Sequence, residues 1–348
     1  MLVSEFDYEL PPELIAQAPP TERGTSRLLV LERQSGTLQH ATIGRLFDFL
    51  RAGDLLVVNQ TRVFPARLLG ERLPSGGAVE CLLLDRLDDE RWDALVHPGQ
   101  KLKPGTRVVF QRGERKMFGE ILERHFYGRR SVRLWVEDGT SVDAAVEAVG
   151  HVPLPPYIRR SDQPADRERY QTVYACDSGS AAAPTAGLHF TEELLTELPG
   201  RGIERAGITL HVGYGTFKPV RVERVEDHLV DPERFVIEEA AAGAINRALR
   251  EGRRVIAVGT TTTRALETAV RLGGGTIRAG LGLADLFIYP GFEFRAVKGL
   301  LTNFHLPRSS LLMLVCAFAD RSSILVAYRT AIENRYRFYS YGDAMLVV

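Results

Sequence analysis

The sequence is poor in cysteine and lacks both an excess of one charge and any long apolar run. Its 348 residues contain three cysteines, which lie far apart and form no CxxC pair. A small, odd set of separated cysteines argues against a disulfide scaffold or a cysteine-based zinc site, and it predicts a reducing compartment. Basic and acidic side chains number 44 each, so no global charge indicates a nucleic-acid partner. A local basic face would still suffice to bind one.

The apolar segments are too short to suggest a membrane span. The longest, LLMLVCAFA at 311–319, is well below the ~20 residues that a span requires, and it predicts a buried helix. The acidic start MLVSEFDYEL has no apolar region typical of a signal peptide. Together these features predict a cytoplasmic protein. The length favours about two domains, on a prior of ~150 residues each.

Several common catalytic motifs are missing as well. The chain contains no GxxxxGK[ST], GxGxxG, HExxH or GxSxG stretch, and its histidines do not have the spacing of zinc ligands. These absences argue against a P-loop nucleotide site, a dinucleotide fingerprint, a zinc protease and a serine hydrolase elbow.

The pattern of apolar residues changes along the chain and predicts two kinds of structure. From about Ala66, short β-type runs alternate with Gly- and Pro-rich turns, which is typical of a small β-barrel. After about residue 170, helical and strand patterns alternate, which predicts α/β layers. We therefore predict a layered α/β main domain over 1–65 and 153–348, with a β-barrel domain inserted at 66–152. Further predictions are a helix in ATIGRLFDFL, a strand in DLFIYP and either a hinge or an exposed loop in HVPLPPYIRRSDQPADRERY.

Three histidines lie in polar loops marked by glycine or proline. His189 lies in the turn PTAGLHF ahead of a helix, His211 lies in HVGYGTF at the end of the predicted strand GITLHV, and His305 lies in TNFHLPRSS. Histidine exchanges protons near neutral pH, and α/β folds bind ligands beyond the carboxyl ends of their strands. The helix that starts after His189 disfavours a protonated ring there. Each histidine could equally fasten its own loop by hydrogen bonds, so the pattern leaves both interpretations open.

Two glycine-containing loops are candidates for binding a ligand. VIAVGTTTTRALE at 255–267 predicts a strand, a tight turn and a helix whose free N–H groups attract carboxylate, phosphate or ribose oxygens. Plain threonine capping would explain this stretch equally well. In HVGYGTF the glycines allow the backbone to approach a ligand closely. The residues alone predict a site for a polar small molecule such as a nucleoside, with candidates Gly259, Thr260, Thr261, Thr262, Gly213 and Gly215.

Long motifs throughout the chain resemble the S-adenosylmethionine:tRNA ribosyltransferase-isomerase family. They are FDYELPPELIA, NQTRVFPARL, YQTVYACDSGSAAAPTAGLHFT, HVGYGTFKPV, VGTTTTRALE, TNFHLPRSSLLMLVCAFA and YRFYSYGDAML. The resemblance implies an α/β domain with an inserted β-barrel and an enzyme of queuosine biosynthesis. Such enzymes attach the ribosyl part of S-adenosylmethionine, isomerised to an epoxycyclopentane-diol, to the aminomethyl group of a 7-deazaguanine at the tRNA wobble position. Adenine and methionine leave, and the product is epoxyqueuosine-tRNA.

The resemblance also implies partners and roles. It implies S-adenosylmethionine as co-substrate, no metal or prosthetic group, no membrane, and a monomer that acts on the GUN-anticodon tRNAs for aspartate, asparagine, histidine and tyrosine. It makes His189, His211 and His305 the candidate catalytic groups, with acid and base roles unassigned. The candidate contacts to substrate or tRNA are Asn303, Arg159, Arg160, Arg167 and Arg169, with Lys101, Lys103, Arg129, Arg130 and Arg133 of the barrel as further basic residues.

The chain departs from the family pattern at two positions. Asp231 stands where the DHxMHxE pattern has its second histidine, and Lys298 stands where an acidic residue usually precedes GLLTNFH. We expect neither residue to be catalytic. Two other functions stay open from the sequence: an enzyme that processes S-adenosylmethionine or a nucleoside without RNA, such as a methyltransferase, and a non-catalytic RNA-binding module.

Overall fold

The structure, a computed structural model, describes residues 1–213, 215 and 220–348 and contains a large mixed sheet and a closed barrel. Its strands are β1 (Arg27–Leu31), β2 (Leu38–Thr42), β3 (Leu55–Asn59), β4 (Thr61–Val63), β5 (Arg67–Leu73), β6 (Ala78–Arg86), β7 (Arg91–His97), β8 (Arg107–Arg112), β9 (Arg115–Arg124), β10 (Arg129–Trp135), β11 (Asp177–Ser180), β12 (Glu204–Leu210), β13 (Glu233–Ile237), β14 (Val255–Val258), β15 (Gly280–Ala284), β16 (Gly299–Asn303) and β17 (Ala344–Val347). Its α-helices are α1 (Val142–Val149), α2 (Asp166–Arg169), α3 (Glu192–Glu197), α4 (Glu239–Arg250), α5 (Thr260–Leu272), α6 (Ser310–Phe318) and α7 (Arg321–Glu333).

The large sheet has the strand order β15-β13-β12-β3-β14-β16-β17-β1-β2. Strands β12, β3, β14 and β16 run parallel to one another, so their carboxyl ends meet at one edge. Every residue of β3, β14 and β16 is buried, because parallel strands are covered on both faces. One face packs against α4, α5, α6 and α7, and the other packs against α3 and two 3₁₀ turns. These layers confirm the predicted α/β class.

The barrel closes in the order β10-β7-β6-β5-β8-β9, with every neighbouring pair antiparallel. Buried side chains alternate along β7 and β9, as expected for strands with one face toward a barrel core. Helix α1 packs against that core through Ala145 and Val146. The barrel confirms the predicted fold class, and its strands run from Arg67 to Trp135. The domain boundaries at 66 and 152 stay a prediction.

Two segments differ from the sequence prediction in their secondary structure. ATIGRLFDFL contains no α-helix, so this prediction is wrong: β2 ends at Thr42 after pairing antiparallel with β1, and a 3₁₀ turn covers Ile43–Asp48. DLFIYP forms no strand, and its preceding neighbour β15 takes the sheet edge beside β13. The buried guanidinium of Arg264 donates hydrogen bonds to the carbonyls of Ala284 and Leu286, at 2.8 and 3.1 Å. The backbone carbonyls at the start of this segment therefore bond to the Arg264 side chain and not to a neighbouring strand.

The predicted hinge at 151–170 is in large part packed against the protein. Asp166 is only 3 % exposed and accepts two hydrogen bonds from Arg160, at 2.6 and 2.8 Å. The hydroxyl of Tyr341 donates to the same carboxylate at 3.0 Å. Burial raises the pKa of Asp166, but these hydrogen bonds outweigh it and hold the pKa below its ordinary value. An ionised, fully bonded aspartate anchors the segment, which a pattern of proline and charge does not reveal.

No single helix in the described ranges is long and apolar enough to cross a membrane. Helices α6 and α7 meet that criterion only as a pair, by length and composition, and they are bent by 115° at their junction.

Candidate active site

Several of the predicted site residues lie at the edge formed by the carboxyl ends of the parallel strands. His211 follows β12, Gly259 follows β14, and Asn303 ends β16, while Asn59, which was not predicted, ends β3. The N–H of Gly259 donates to the Leu301 carbonyl at 2.8 Å, which fixes the end of β14 against β16. This edge is where open α/β sheets bind ligands.

His189 and Asn303, which are distant in sequence, are hydrogen-bonded at this edge. His189 lies in a 3₁₀ turn, is 3 % exposed, and has its Nε2 at 3.1 Å from Asn303 Nδ2. Asn303 Nδ2 also donates to the Tyr339 carbonyl at 3.1 Å. A carbonyl can only accept, so the amide nitrogen must face it, and His189 Nε2 must then accept from that same nitrogen. The proton of the neutral His189 ring therefore lies on Nδ1.

Burial, more than the following helix, keeps His189 neutral. It lowers the pKa of His189 to about 4, and Asp343 offsets only part of this effect. The turn approaches its neighbours closely, because a Cβ on Gly187 would lie 2.1 Å from the Tyr174 hydroxyl. The sequence prediction of a rigid turn with a neutral histidine is consistent with this arrangement, although the main cause is burial.

His305 is bonded on both its side chain and its backbone. Its Nε2 lies 2.8 Å from Thr302 Oγ1, its N–H donates to the Tyr328 hydroxyl at 3.0 Å, and its carbonyl accepts from the Tyr8 hydroxyl. Burial lowers the pKa of His305 to about 3. These contacts are typical of a histidine that fastens its loop, which was one of the two interpretations left open by the sequence.

His211 is half-buried and lies in a separate group of polar residues. Its Nδ1 is 2.8 Å from Thr61 Oγ1, and the Thr61 hydroxyl is also 3.3 Å from the Asp177 carbonyl. A hydroxyl has one proton, so both bonds form together only when Thr61 donates to that carbonyl and His211 Nδ1 donates to Thr61. His211 Nε2 is then the unprotonated nitrogen. Burial lowers the pKa of His211, although Asp177 opposes the shift.

The three histidines line one edge without meeting at one atom. The ends of β12 and β16 are separated by β3 and β14, which is three strand spacings or roughly 14 Å. Gly179, with φ of 146°, makes room for the His211 ring, because a Cβ there would lie 2.8 Å from the ring carbon Cε1. The sequence predicted one shared cleft, whereas the structure places these histidines in two groups of polar residues on the same edge of the sheet.

In the threonine loop, some side-chain hydroxyls donate hydrogen bonds to the backbone and others do not. Thr262 donates to the Val258 carbonyl at 2.8 Å, and Thr263 donates to the Gly259 carbonyl at 3.1 Å. Gly259 has φ of 97°, a conformation that side chains disfavour. Thr261 is buried, but no hydrogen bond of its hydroxyl is found within the described part of the chain. Thr261 is thus better placed than Thr262 to bind a ligand.

A buried ion pair ties the glycine loop after β12 to helix α5. The N–H of Gly213 donates to Glu233 Oε1 at 3.2 Å, and Glu233 Oε2 pairs with Arg264 Nη1 at 2.9 Å. A Cβ on Gly215 would lie 2.4 Å from Asp231 Oδ2. The absence of a side chain at Gly215 therefore lets the backbone approach the Asp231 carboxylate closely. Tyr214, Thr216 and Phe217 of HVGYGTF lie outside the described residues.

The arginines predicted to contact tRNA differ in how they are engaged. Arg167 bonds Glu147 at 2.8 Å, and Arg169 donates to the Thr21 and Pro20 carbonyls at 2.9 and 2.6 Å. Arg160 pairs with Asp166, as described above, whereas Arg159 is exposed.

The basic residues of the barrel also differ in their exposure. Arg130 is 2 % exposed and donates to the Leu102 carbonyl, so its predicted place on a basic surface is wrong. Arg129 pairs with Asp93, and Arg133 pairs with Glu90 at 2.7 Å. The exposed lysines of the barrel that the sequence predicted are Lys101 and Lys103.

A cavity of about 920 Å³ lies at the opposite edge of the sheet, near the start of β14. Its lining is basic, but Arg254 pairs with Asp54 at 2.6 Å, and Arg33 donates to the Phe318 and Lys298 carbonyls at 3.0 and 3.1 Å. No histidine lines it. The carboxyl edge, which carries the acid–base side chains, is therefore the better candidate for chemistry.

Sequence reasoning missed several residues that shape this edge. Buried Asn59 bonds the backbone of Leu210 through both its amide atoms, at 2.8 and 3.0 Å, and it also accepts from the Thr61 N–H. Tyr339 adjoins Asn303. Asn59 lies in the motif NQTRVF, and Tyr339 lies in YRFYSYGD. Both motifs carry the family resemblance, but neither residue was predicted to be a site residue. In the described ranges, no three His, Cys, Asp or Glu side chains group as metal ligands, and the absence of a metal stays a prediction.

Comparison with known proteins matches the chain over its whole length. The family described as "Queuosine biosynthesis protein" matches residues 3–347. The S-adenosylmethionine:tRNA ribosyltransferase-isomerases of Heliobacterium modesticaldum and Moorella thermoacetica are 53% and 51% identical to it over 348 residues, covering all of each chain. A crystal structure of an S-adenosylmethionine tRNA ribosyltransferase from Thermotoga maritima is 38% identical, with a TM-score of 0.56, and the match covers 99% of this chain and 100% of that one.

Proposed function

Because the chain belongs to the queuosine biosynthesis protein family, we propose that it acts as an S-adenosylmethionine:tRNA ribosyltransferase-isomerase. It transfers the ribosyl part of S-adenosylmethionine, with isomerisation, to the aminomethyl group of 7-aminomethyl-7-deazaguanine at the tRNA wobble position. The products are epoxyqueuosine-tRNA, adenine and methionine. The observation that carries this proposal is the full-length match to relatives of that activity. The polar edge of the sheet offers the residues that the chemistry requires.

The two histidine tautomers support different roles in the reaction. The transfer requires a base that removes a proton next to the sulfonium and groups that orient the sugar and the leaving adenine. His211 presents an unprotonated Nε2, so we assign it the role of base. His189 carries its proton on Nδ1, so it donates a hydrogen bond and positions the substrate. S-adenosylmethionine would lie between the threonine loop and these groups.

Mass analysis tests the proposed function directly. A GUN tRNA that carries 7-aminomethyl-7-deazaguanine is incubated with the protein and S-adenosylmethionine. We expect epoxyqueuosine in the tRNA, together with one free adenine and one free methionine per modified tRNA. The same tRNA with an unmodified guanine at the wobble position is the control and should not react. S-adenosylhomocysteine as the product would indicate a methyltransferase, and no turnover would favour a binding module.

Thr261→Val should weaken binding of S-adenosylmethionine about 10- to 100-fold. The change keeps the shape of the side chain and removes a hydroxyl that is free to bond a polar group of the co-substrate, a bond to a charged group being worth about 1.5–3 kcal/mol. Isothermal titration calorimetry measures the affinity. Thr263→Val is the matched control, because its hydroxyl already bonds the helix backbone. Equal affinities for wild type and Thr261→Val would remove this hydroxyl from the site.

Arg159→Gln should make tRNA affinity less dependent on salt. If this exposed arginine contacts a phosphate, the slope of log affinity against log salt falls by about one unit when its charge is removed. Filter binding at several salt concentrations measures the slope, and S-adenosylmethionine affinity should not change. Replacing Arg159, Arg160, Arg167 and Arg169 together should flatten the slope further. A quadruple variant with the wild-type slope would show that these arginines do not contact tRNA phosphates.

We further propose that the substrates are the GUN-anticodon tRNAs for aspartate, asparagine, histidine and tyrosine, and that the enzyme acts as a monomer in the cytoplasm. The tRNA substrate and the few separated cysteines support a reducing, cytoplasmic setting.

A further inference from the structure

Two buried polar side-chain atoms, one on Asn303 at the end of β16 and one on Tyr339, have no hydrogen-bond partner among the described residues. Asn303 is 2 % exposed and Tyr339 is 7 % exposed. Neither Asn303 Oδ1 nor the Tyr339 hydroxyl finds a partner among the residues that the structure describes. An unpaired buried polar atom destabilises the fold, so its retention calls for an explanation.

The rest of each residue is held firmly, so that these two atoms cannot simply turn toward another partner. The Asn303 amide is fixed by its bonds to His189 and to the Tyr339 carbonyl. The ring of Tyr339 packs against Tyr157, with ring centres 4.2 Å apart. Burial raises the pKa of Tyr339, so its hydroxyl keeps its proton at neutral pH. Asn303 Oδ1 can therefore only accept a hydrogen bond, and the Tyr339 hydroxyl can donate one.

The backbone of Tyr339 is strained. Its φ of 72° lies in the left-handed region, which is a rare and unfavourable conformation for a bulky residue. The strain is maintained by bonds from the Tyr339 N–H to the Phe304 carbonyl at 3.1 Å and from the Gly342 N–H to the Tyr339 carbonyl at 2.8 Å. Such strain concentrates at sites where a side chain must point toward a ligand.

The strand that ends in Asn303 adjoins the loop that is proposed to bind S-adenosylmethionine. Gly259 is bonded to Leu301 of the same strand that ends in Asn303, and a Cβ on Gly259 would lie 3.8 Å from Ala186 in the turn of His189. A ligand here must offer a donor to Asn303 Oδ1 and an acceptor to the Tyr339 hydroxyl. Each hydroxyl of a ribose can serve as both.

We propose that Tyr339 and Asn303 are positioning residues that bind the two ribosyl hydroxyls of S-adenosylmethionine. Asn303 Oδ1 accepts from one hydroxyl, and the Tyr339 hydroxyl donates to the other. This inference rests on the proposed function and deepens it, because the ribosyl group is the part of the co-substrate that is transferred. It also explains why the fold keeps two unpaired polar atoms next to a strained tyrosine.

The test combines Tyr339→Phe with co-substrates that lack one hydroxyl. We expect Tyr339→Phe to weaken S-adenosylmethionine binding about tenfold by calorimetry and to raise KM for S-adenosylmethionine, with KM for tRNA unchanged. The 2′-deoxy or the 3′-deoxy analogue should bind wild type about tenfold more weakly than the parent, and Tyr339→Phe should bind that analogue no more weakly than wild type does. The variant loses an unpaired hydroxyl, so its Tm should stay the same or rise, which a purely structural role would not predict.

Tyr336→Phe is the matched control, since it removes a hydroxyl that is bonded to His40 Nδ1 at 2.8 Å. It should leave S-adenosylmethionine affinity unchanged. Wild-type affinity in Tyr339→Phe, or deoxy analogues that lose affinity equally in wild type and variant, would overturn the inference. Adenine release by wild type is measured in parallel: if wild type releases none, the proposed function fails, and if it does while Tyr339→Phe binds normally, only this inference fails.

Discussion

His189→Ala should lower the turnover number by roughly 10²-fold, the size of effect found when a group that positions the substrate is lost and the reacting atoms are misplaced by about 1 Å. The substitution removes the Nδ1 donor and leaves Asn303 with one fewer acceptor for its amide. Affinity for tRNA should change little, because His189 is buried at the sheet edge. Single-turnover release of adenine, with saturating tRNA and S-adenosylmethionine, measures the effect.

Two further variants separate the possible roles of His189. His189→Gln keeps an N–H donor of similar reach, so recovery of most of the activity would mean that His189 only orients the substrate. His125→Ala is the matched control, because this histidine lies in the barrel, where its Nε2 is 2.9 Å from the Ser131 hydroxyl. Near-wild-type rates in His189→Ala would exclude both roles and direct attention to His211.

The free energy of unfolding should fall steeply as the pH drops from about 6.5 toward 4. His189 and His305 have pKa values of about 4 and about 3 in the folded protein, because burial disfavours their charged forms. In the unfolded chain both titrate near 6.5. Between these values the unfolded state binds the extra protons, so each histidine contributes a slope of about 1.4 kcal/mol per pH unit. This stabilisation is present above pH 6.5 and is lost as the pH falls through the folded pKa values.

Chemical denaturation at a series of pH values measures this slope. His189→Gln and His305→Gln should each reduce it between pH 6 and 4.5 by the contribution of one histidine, about 1.4 kcal/mol per pH unit, because glutamine does not titrate. His125→Gln, which replaces an exposed histidine, should leave the slope unchanged. A variant pair with the full wild-type slope would show that other groups cause the acid sensitivity.

Much of the fold could be predicted because its signals are local. The buried runs of β3 and β14, the amphipathic pattern of α4 and the short strands of the barrel all come from residues close together in sequence. The segments that differ from the prediction are held by side-chain contacts that the local pattern does not reveal. DLFIYP has the composition of a strand, but Arg264 binds the backbone there. The segment around Asp166 has the composition of a hinge, but Arg160 and Tyr341 hold it in place.

The candidate site shows the same difference between local sequence signals and contacts made in the folded structure. The motifs named the histidines, the threonine loop and Asn303, since each lies in a recognisable turn next to a strand or a helix. They did not distinguish Thr261 from Thr262, because the difference is a hydrogen bond to the backbone of the preceding strand. They also did not reveal that Arg130 is buried, because that depends on the closing of the barrel around it.

By itself, the sequence determined the family, the α/β class with its barrel, and the set of polar residues available for chemistry. Local patterning and long motifs are enough for this, because they can be recognised without knowing which residues are in contact. Only the tertiary structure decided which nitrogen of His189 and of His211 carries the proton, and which polar atoms of Asn303 and Tyr339 remain for a ligand. Those properties come from hydrogen bonds between residues as far apart as 114 positions in His189–Asn303 and 150 in Thr61–His211. The ring nitrogen that carries the proton is fixed only when the fold has brought both partners of each hydrogen bond together.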